Sequence, residues 1–474
     1  MKYILLSVLV IAAQQAQAVW VDWSGTYRFE YFDINKPSLD GGDSKTKSYG
    51  IHFLTLQPTI LASDGISIVS RLEFLTNKSP DYADSQIGQT WGGSDYGKPA
   101  SGNGGVNNVT RSNQINTNVK IRELFLKVEQ ELGIFLLGRA PYEFGLGITH
   151  NAGDGAFDHW YDTKDLLAYK FYIGNVSIMP MLSRTFDKSP DKGQMNQEET
   201  LEILYDNKDA GATIGVLFER KHAAASVVAD NVNDDWALAI NKGVAPTARG
   251  GFNFERTTFL LGRKWETFDF MVEAAFEKGE TGYVNAAGEE IEMNAYGIAT
   301  EFNYQETNSK WRYGLLMGVA SGDNPGSTKF EGFQFDRNYD VAMLLFNHRL
   351  GQADFLRTNI IKNRNLDAGN SFDDEAISNA SYLSLRFDYD WKEKWKWGSR
   401  LTYAQLMDKI DSASDMKKDL GLELDLSLTY KPRERVQWVN EIGILSPGSA
   451  FKNGSAGLGA EMAFGFASKA AISF

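Results

Sequence analysis

Gly465-Phe-Ala-Ser-Lys-Ala-Ala-Ile-Ser-Phe474 sets Ser468, Ala470, Ile472 and Phe474 at every second position, and the chain stops on the last of them. Period two is the mark of a β-strand, whose successive side chains point to opposite faces. The same pattern recurs upstream. From Leu420 to Tyr430, Leu420, Leu422, Leu424, Leu426, Leu428 and Tyr430 oppose Glu423, Asp425, Ser427 and Thr429. In Ile66–Phe74, Ile66, Ile68, Leu72 and Phe74 oppose Ser67, Arg71 and Glu73. In Val19–Tyr31, Val21, Trp23, Tyr27, Phe29 and Tyr31 oppose Asp22, Ser24, Thr26, Arg28 and Glu30. One face suits lipid and the other water.

Runs of this kind between turn signals predict eighteen strands, near 19–31, 49–61, 66–75, 118–128, 134–140, 166–173, 176–183, 197–205, 212–221, 255–265, 268–277, 293–304, 310–321, 381–389, 397–406, 419–430, 436–445 and 457–474. Connections alternate between short and long, as in a transmembrane antiparallel up-and-down β-barrel with short inner turns and long outer loops. An even count puts both ends of the chain on the periplasmic side. Sixteen and twenty strands are the alternatives. A propeller would show an internal repeat, and none is visible.

The amino terminus reads as a secretory leader: Lys2, an apolar run to Ala13, and Ala16-Gln-Ala18 before the cut, leaving 19–474 as a single barrel domain. The apolar run is shorter than the roughly 20 residues of a spanning helix. Cysteine is absent, which excludes a lipidated N-terminal Cys, disulfides and thiolate chemistry. The net charge of −13 argues against a nucleic-acid partner. The 29 Phe, 20 Tyr and 11 Trp suit interfacial girdles, and Trp20, Trp23, Trp265, Trp311, Trp395, Trp397 and Trp438 fall near strand ends.

A chain ending on Phe474 inside an alternating strand resembles the closing strand of Gram-negative outer-membrane β-barrels, where a terminal Phe is the assembly signal. Residues 121–147, IRELFLKVEQELGIFLLGRAPYEFGLG, resemble the strand pair with Gly-Arg and Phe-Gly-x-Gly found in large porin-like proteins, including the alginate-export type. The resemblance implies a location in the outer membrane after export through the inner one. It also implies contact with lipid and with the barrel assembly machinery, passage of small hydrophilic solutes, no cofactor and room for a homo-oligomer. The acidic balance departs from what a polyanion conduit needs.

A barrel of ~16 to 18 strands encloses an aqueous channel, whose selectivity is set by charges near its narrowest point. The inward-phased candidates are Arg28, Glu30, Arg71, Glu73, Arg386, Asp388, Glu423 and Asp425; Arg122, Arg139 and Arg263 join them with ambiguous phase. The bland reading of any one of these is a cross-strand pair that stiffens the wall. Segment 322–380 is too long for a simple loop. Its Val341-Ala-Met-Leu-Leu-Phe346, followed by His348, Arg349 and Gly351, predicts a short helix over 340–350 that carries Val341, Met343, Leu344, Leu345 and Phe346 into the lumen as a constriction. An extra strand pair at 339–347 and 353–362 is the competing reading.

Asp154, Asp158, Asp162 and Asp165 share one predicted outer loop, an oxygen-rich set of the kind calcium accepts, without the twelve-residue spacing of an EF-hand. His159 beside Trp160 and Tyr161 reads as an interfacial packing residue. Five histidines and no Gly-x-Ser-x-Gly give no support to an enzyme. The functional expectation is a porin. Its rival is a plugged, non-conducting barrel serving as surface receptor, adhesin or envelope structural protein.

Overall fold

The structure, a computed structural model, describes residues 20–39, 46–74, 89–90, 119–186, 196–225, 244–351, 375–409, 415, 417–452 and 460–474. The leader 1–18, nearly all of loop 76–117 and the proposed strand 353–362 lie outside the described residues.

A single antiparallel sheet holds β1 Trp20–Asn35, β2 Thr46–Ser63, β3 Ile66–Phe74, β4 Gln89–Thr90, β5 Lys120–Gln130, β6 Gly133–Pro141, β7 Thr163–Ile173, β8 Val176–Phe186, β9 Asn196–Asn207 and β10 Ala212–Ala223. It continues through β11 Val244–Lys264, β12 Phe268–Asn285, β13 Glu290–Tyr304, β14 Trp311–Ala320, β15 Ala380–Lys392, β16 Trp395–Leu406, β17 Asp419–Arg433, β18 Val436–Pro447 and β19 Ala463–Ser473. β4 is a two-residue piece beside Ile51 and His52, where β3 no longer accompanies β2. The remaining eighteen strands pair in chain order, and β19 returns to β1 from Thr26↔Ser473 to Asn35↔Phe464. The sheet is thus an eighteen-strand closed barrel, as the alternation predicted, and the sixteen- and twenty-strand alternatives fall. Closure leaves the sheet with no first or last strand, the arrangement a lipid environment requires.

Phe474 extends the seam, exchanging two main-chain hydrogen bonds of 3.0 Å with Gly25. Gly25 has no alternative there, because a Cβ would lie 2.7 Å from the Phe474 ring.

The eight short turns and the two ends of the sheet lie at one rim. Trp20, Trp23, Trp265, Trp311, Trp397 and Trp438 cluster there, each about half exposed or more on the outer face, as an interfacial girdle would have them. At the other rim the connections are long, with one exception. β12 runs well past its predicted end and meets β13 in the tight turn 286–289. A bulge at Gly421 (φ 107°) shifts the leucine stripe of β17, so that Leu420 turns into the interior while Leu422 and Leu424 face out.

Candidate functional site: the lumen and two segments folded into it

Inward positions in β1, β3, β15 and β17 carry Arg28, Glu30, Arg71, Glu73, Arg386, Asp388, Glu423 and Asp425, as phased from the sequence. Arg122 joins them through a bulge. Arg71 pairs with Glu123 and Leu72 with Ile121, so Arg122 is the extra residue and points inward beside Glu123. Two candidates do not line the lumen. Arg139 stands on the outer face opposite Asp165, which it holds by two 2.7 Å hydrogen bonds, both side chains half exposed. Arg263 alternates outward with Phe259 and Leu261 and lies over the ring of Trp265 at the girdle.

The inward charges do not all meet water, because two segments fold back into the barrel. The first, residues 142–162, follows β6. Its Phe-Gly-Leu-Gly stretch wraps a wall carboxylate: the N–H groups of Leu146, Gly147 and Ile148 point at Glu273 Oε2 (2.7, 3.1 and 3.4 Å), and Thr149 Oγ1 donates to Oε1 (2.8 Å). Gly145 (φ 66°) makes the turn possible, since a Cβ there would lie 2.6 Å from Glu273 Oε2. Successive N–H groups around one anion form a nest, here with a glutamate of β12 as the anion. Glu273 escaped the sequence reading. Its inward phase with Glu277 was legible in 268–277, but its partner 124 residues away was not.

Two histidines pin the rest of this segment. His159 Nε2 lies 2.9 Å from Glu30, itself 3.1 Å from Arg28 Nε, and Arg28 also donates to the carbonyl of Asp158. His150 Nε2 lies 2.7 Å from Glu219. Around Glu219, Lys164 bonds Glu198 as well, and Arg256 bridges to Glu277 (2.7 Å). Tyr161 is wedged between the guanidiniums of Arg71 and Arg122, 5.2 and 5.6 Å from its ring centre. His159 is thus a buried tether, which corrects its placement at the membrane interface.

The four aspartates are dispersed. Asp154 pairs with Arg71 (2.5 Å), Asp158 accepts from Gly155 N (2.7 Å), and Asp162 accepts from Asn151 N (3.1 Å). Asp165 belongs to β7 and faces outward. Among the described residues no three such groups converge on a metal-sized site.

The second segment, 321–351, follows β14. Residues 340–350 form no helix; they make an irregular stretch with a turn at 345–347, and Phe346 has φ 72°. The reason is a second wall carboxylate. Met343, Leu344 and Leu345 donate their N–H groups to Glu423 (3.0, 2.6 and 2.8 Å), Met343 also reaches Asp425 (3.2 Å), and the carbonyl of Val341 accepts from Thr402 (2.7 Å) and Ser384 (3.2 Å). The wall thus satisfies the main chain, and a helix would withdraw those donors. Apolar burial matches: Val341, Met343, Leu344, Leu345 and Phe346 are all buried, with Met343 and Leu344 against Gly443 and Gly465 and with Phe333 against Gly297. Residues 339–347 are no strand either, so both sequence alternatives fail on this stretch. A 3-10 turn spans Ser449–Lys452.

The two segments meet. Asp336 N donates to Ile148 O (2.9 Å), Asn338 Oδ1 accepts from His159 N and Trp160 N (both 3.1 Å), and Asn338 Nδ2 donates to Trp160 O (2.7 Å). Burial, with Asp162 and Asp158 close by, pushes the Asp336 carboxyl up to about 8 despite its bond from Asn338 N. Towards the rim of short turns the wall is more exposed and mixed in sign. Arg386 stands directly opposite Arg400 and donates to Asn303 (2.6 Å); Lys396 pairs with Asp388 (3.0 Å) and Lys469 with Glu441 (3.6 Å).

No protein-family model matches the chain, and no curated protein sequence does. Among solved structures it is similar to OccK9 (OpdG) of Pseudomonas aeruginosa, with a TM-score of 0.52 at 12% identity over 96% of this chain and 98% of that one. It is also similar to Acinetobacter baumannii OccAB3 (TM-score 0.51, 12% identity, 96% and 99% covered). A third is P. aeruginosa OccK2 (OpdF), solved in complex with glucuronate (TM-score 0.50, 9% identity, 96% and 98% covered). At these identities the likeness is one of fold, and the fold is that of an outer-membrane porin-type β-barrel.

Proposed function

We propose that this protein is a passive outer-membrane channel for small hydrophilic solutes, narrowed where residues 148–160 and 336–338 join. The observation that carries the reading is a closed eighteen-strand barrel whose inner wall is charged and whose two inward segments are fastened to it. A wall of this circumference encloses water unless something fills it. The fastened segments give a fixed rather than a fluctuating narrowing. The mixed signs of Arg386, Lys396, Arg400, Asp388 and Glu441 support a modest charge preference over a steep one.

The joining of the two segments also favours the rival, a plugged barrel with a receptor or structural role. Single-channel conductance in a planar bilayer separates them, with the intact protein compared against one lacking 338–352. Discrete steps in the intact protein that enlarge on deletion support the channel. Silence before deletion and current after it support the plug.

A further inference from the structure

A recess of about 290 Å³ opens on the inner wall near the outer rim, between the upper parts of β10–β13 and the segments 323–334 and 378–379. One side is aromatic: Phe252 and Phe254 lie near-parallel, with ring centres 6.2 Å apart at 6°, and Phe330 adds a third ring. The other side is polar, with Gln334 exposed, Ser378 and the carboxylates of Glu277 and Asp323.

The charges of the recess are balanced. Lys221 and Arg256 both lie over the Phe254 ring (5.7 and 5.0 Å), but Arg256 is committed to Glu277 and Glu219, and Lys221 lies 3.5 Å from Glu198. A charged solute would meet like as well as opposite charges in the lining. An uncharged solute with an apolar face and a hydroxylated edge meets neither penalty. It covers the rings and exchanges hydrogen bonds with amide, hydroxyl and carboxylate groups. We infer that this recess binds an uncharged polyhydroxylated ring of the pyranose class at the entry to the lumen. The inference rests on the channel reading for its purpose, though not for its geometry.

Glucose is the probe, with sorbitol as an open-chain polyol and benzoate as a flat anion. Two measurements are made on the full-length protein: interruption of single-channel current, and titration calorimetry on the detergent-solubilised barrel, which needs no current. The expectation is that glucose binds in both, sorbitol about tenfold more weakly for want of a stacking face, and benzoate no better than sorbitol. Phe254→Leu weakens glucose binding about tenfold, and Gln334→Ala, at an exposed position that does not support the fold, weakens it severalfold, with ionic conductance unchanged in both. Equal binding of glucose and sorbitol, tighter binding of benzoate, or unaltered binding by the Gln334→Ala protein overturns the assignment. Heat release with glucose in a barrel that passes no current keeps the recess and sinks the channel. Current without heat release does the reverse.

Discussion

Glu423 and Glu273 decide how the interior is arranged, each by collecting three consecutive main-chain N–H groups. Hydrogen bonds to a carboxylate are stronger than neutral ones, and orphaning buried donors costs more than the bonds contribute net. Glu423→Ala should therefore destabilise the fold by about 2–4 kcal/mol, read as a lower midpoint in heat-induced gel mobility. It should also make single-channel current noisier as 341–346 works loose. An unchanged midpoint and quiet current would mean that the apolar contacts alone seat the segment. A second prediction separates the arginines. Arg386→Gln and Arg122→Gln should shift the reversal potential in a salt gradient, because both side chains face the interior; Arg263→Gln should leave it unmoved, because that side chain lies on the outer face. The alternation of β1, β3, β15 and β17 was enough to phase most of these residues. The phase of Arg139 in β6 and Arg263 in β11 stayed open, and Leu420 was misplaced because the bulge at Gly421 reverses its face, for which local sequence carries no marker.

Between elements, the junction of 336–338 with 148–160 should respond to pH. The carboxyl of Asp336 titrates at about 8 in the joined state and near 3.8 once released. The joined form thus holds the proton more tightly. Its advantage is complete below about pH 3.8, falls by up to about 1.4 kcal/mol per pH unit as pH rises through the window to about 8, and is flat above it. Channel conductance or its fluctuation should grow from pH 5 to pH 8 and level off, and Asp336→Asn should abolish the change. A profile identical in the variant would assign the effect elsewhere. The misreading of 340–350 as a helix belongs to this scale too. An apolar run with a basic end and a following glycine fits a helix when no other partner exists for its N–H groups. Here the partner was a glutamate about 80 residues away, on a wall that exists only after folding. A longer separation, 124 to 127 residues, hid the pairing of Leu146 to Thr149 with Glu273 of β12.

For the whole molecule, the strand count and topology were legible because period-two alternation and turn chemistry are local, and because a lipid-facing exterior and a polar interior leave register little freedom. Phe474 adds the last pair of main-chain bonds to the seam that closes the barrel. Removal of Phe474 should deprive Gly25 of both its main-chain partners at the seam and reduce the yield of heat-modifiable, folded barrel in the outer membrane; undiminished yield would show that Thr26–Asn35 against Phe464–Ser473 suffices. The way the interior is fastened has a further consequence. At Glu273 and Glu423 the wall grips the two inner segments by peptide groups, which every amino acid except proline supplies, so these two anchors do not depend on which side chains Leu146 to Ile148 and Met343 to Leu345 carry. Side chains elsewhere in the segments can be exchanged by mutation while these two anchors stay put, and one scaffold could be retuned for new solutes without being rebuilt.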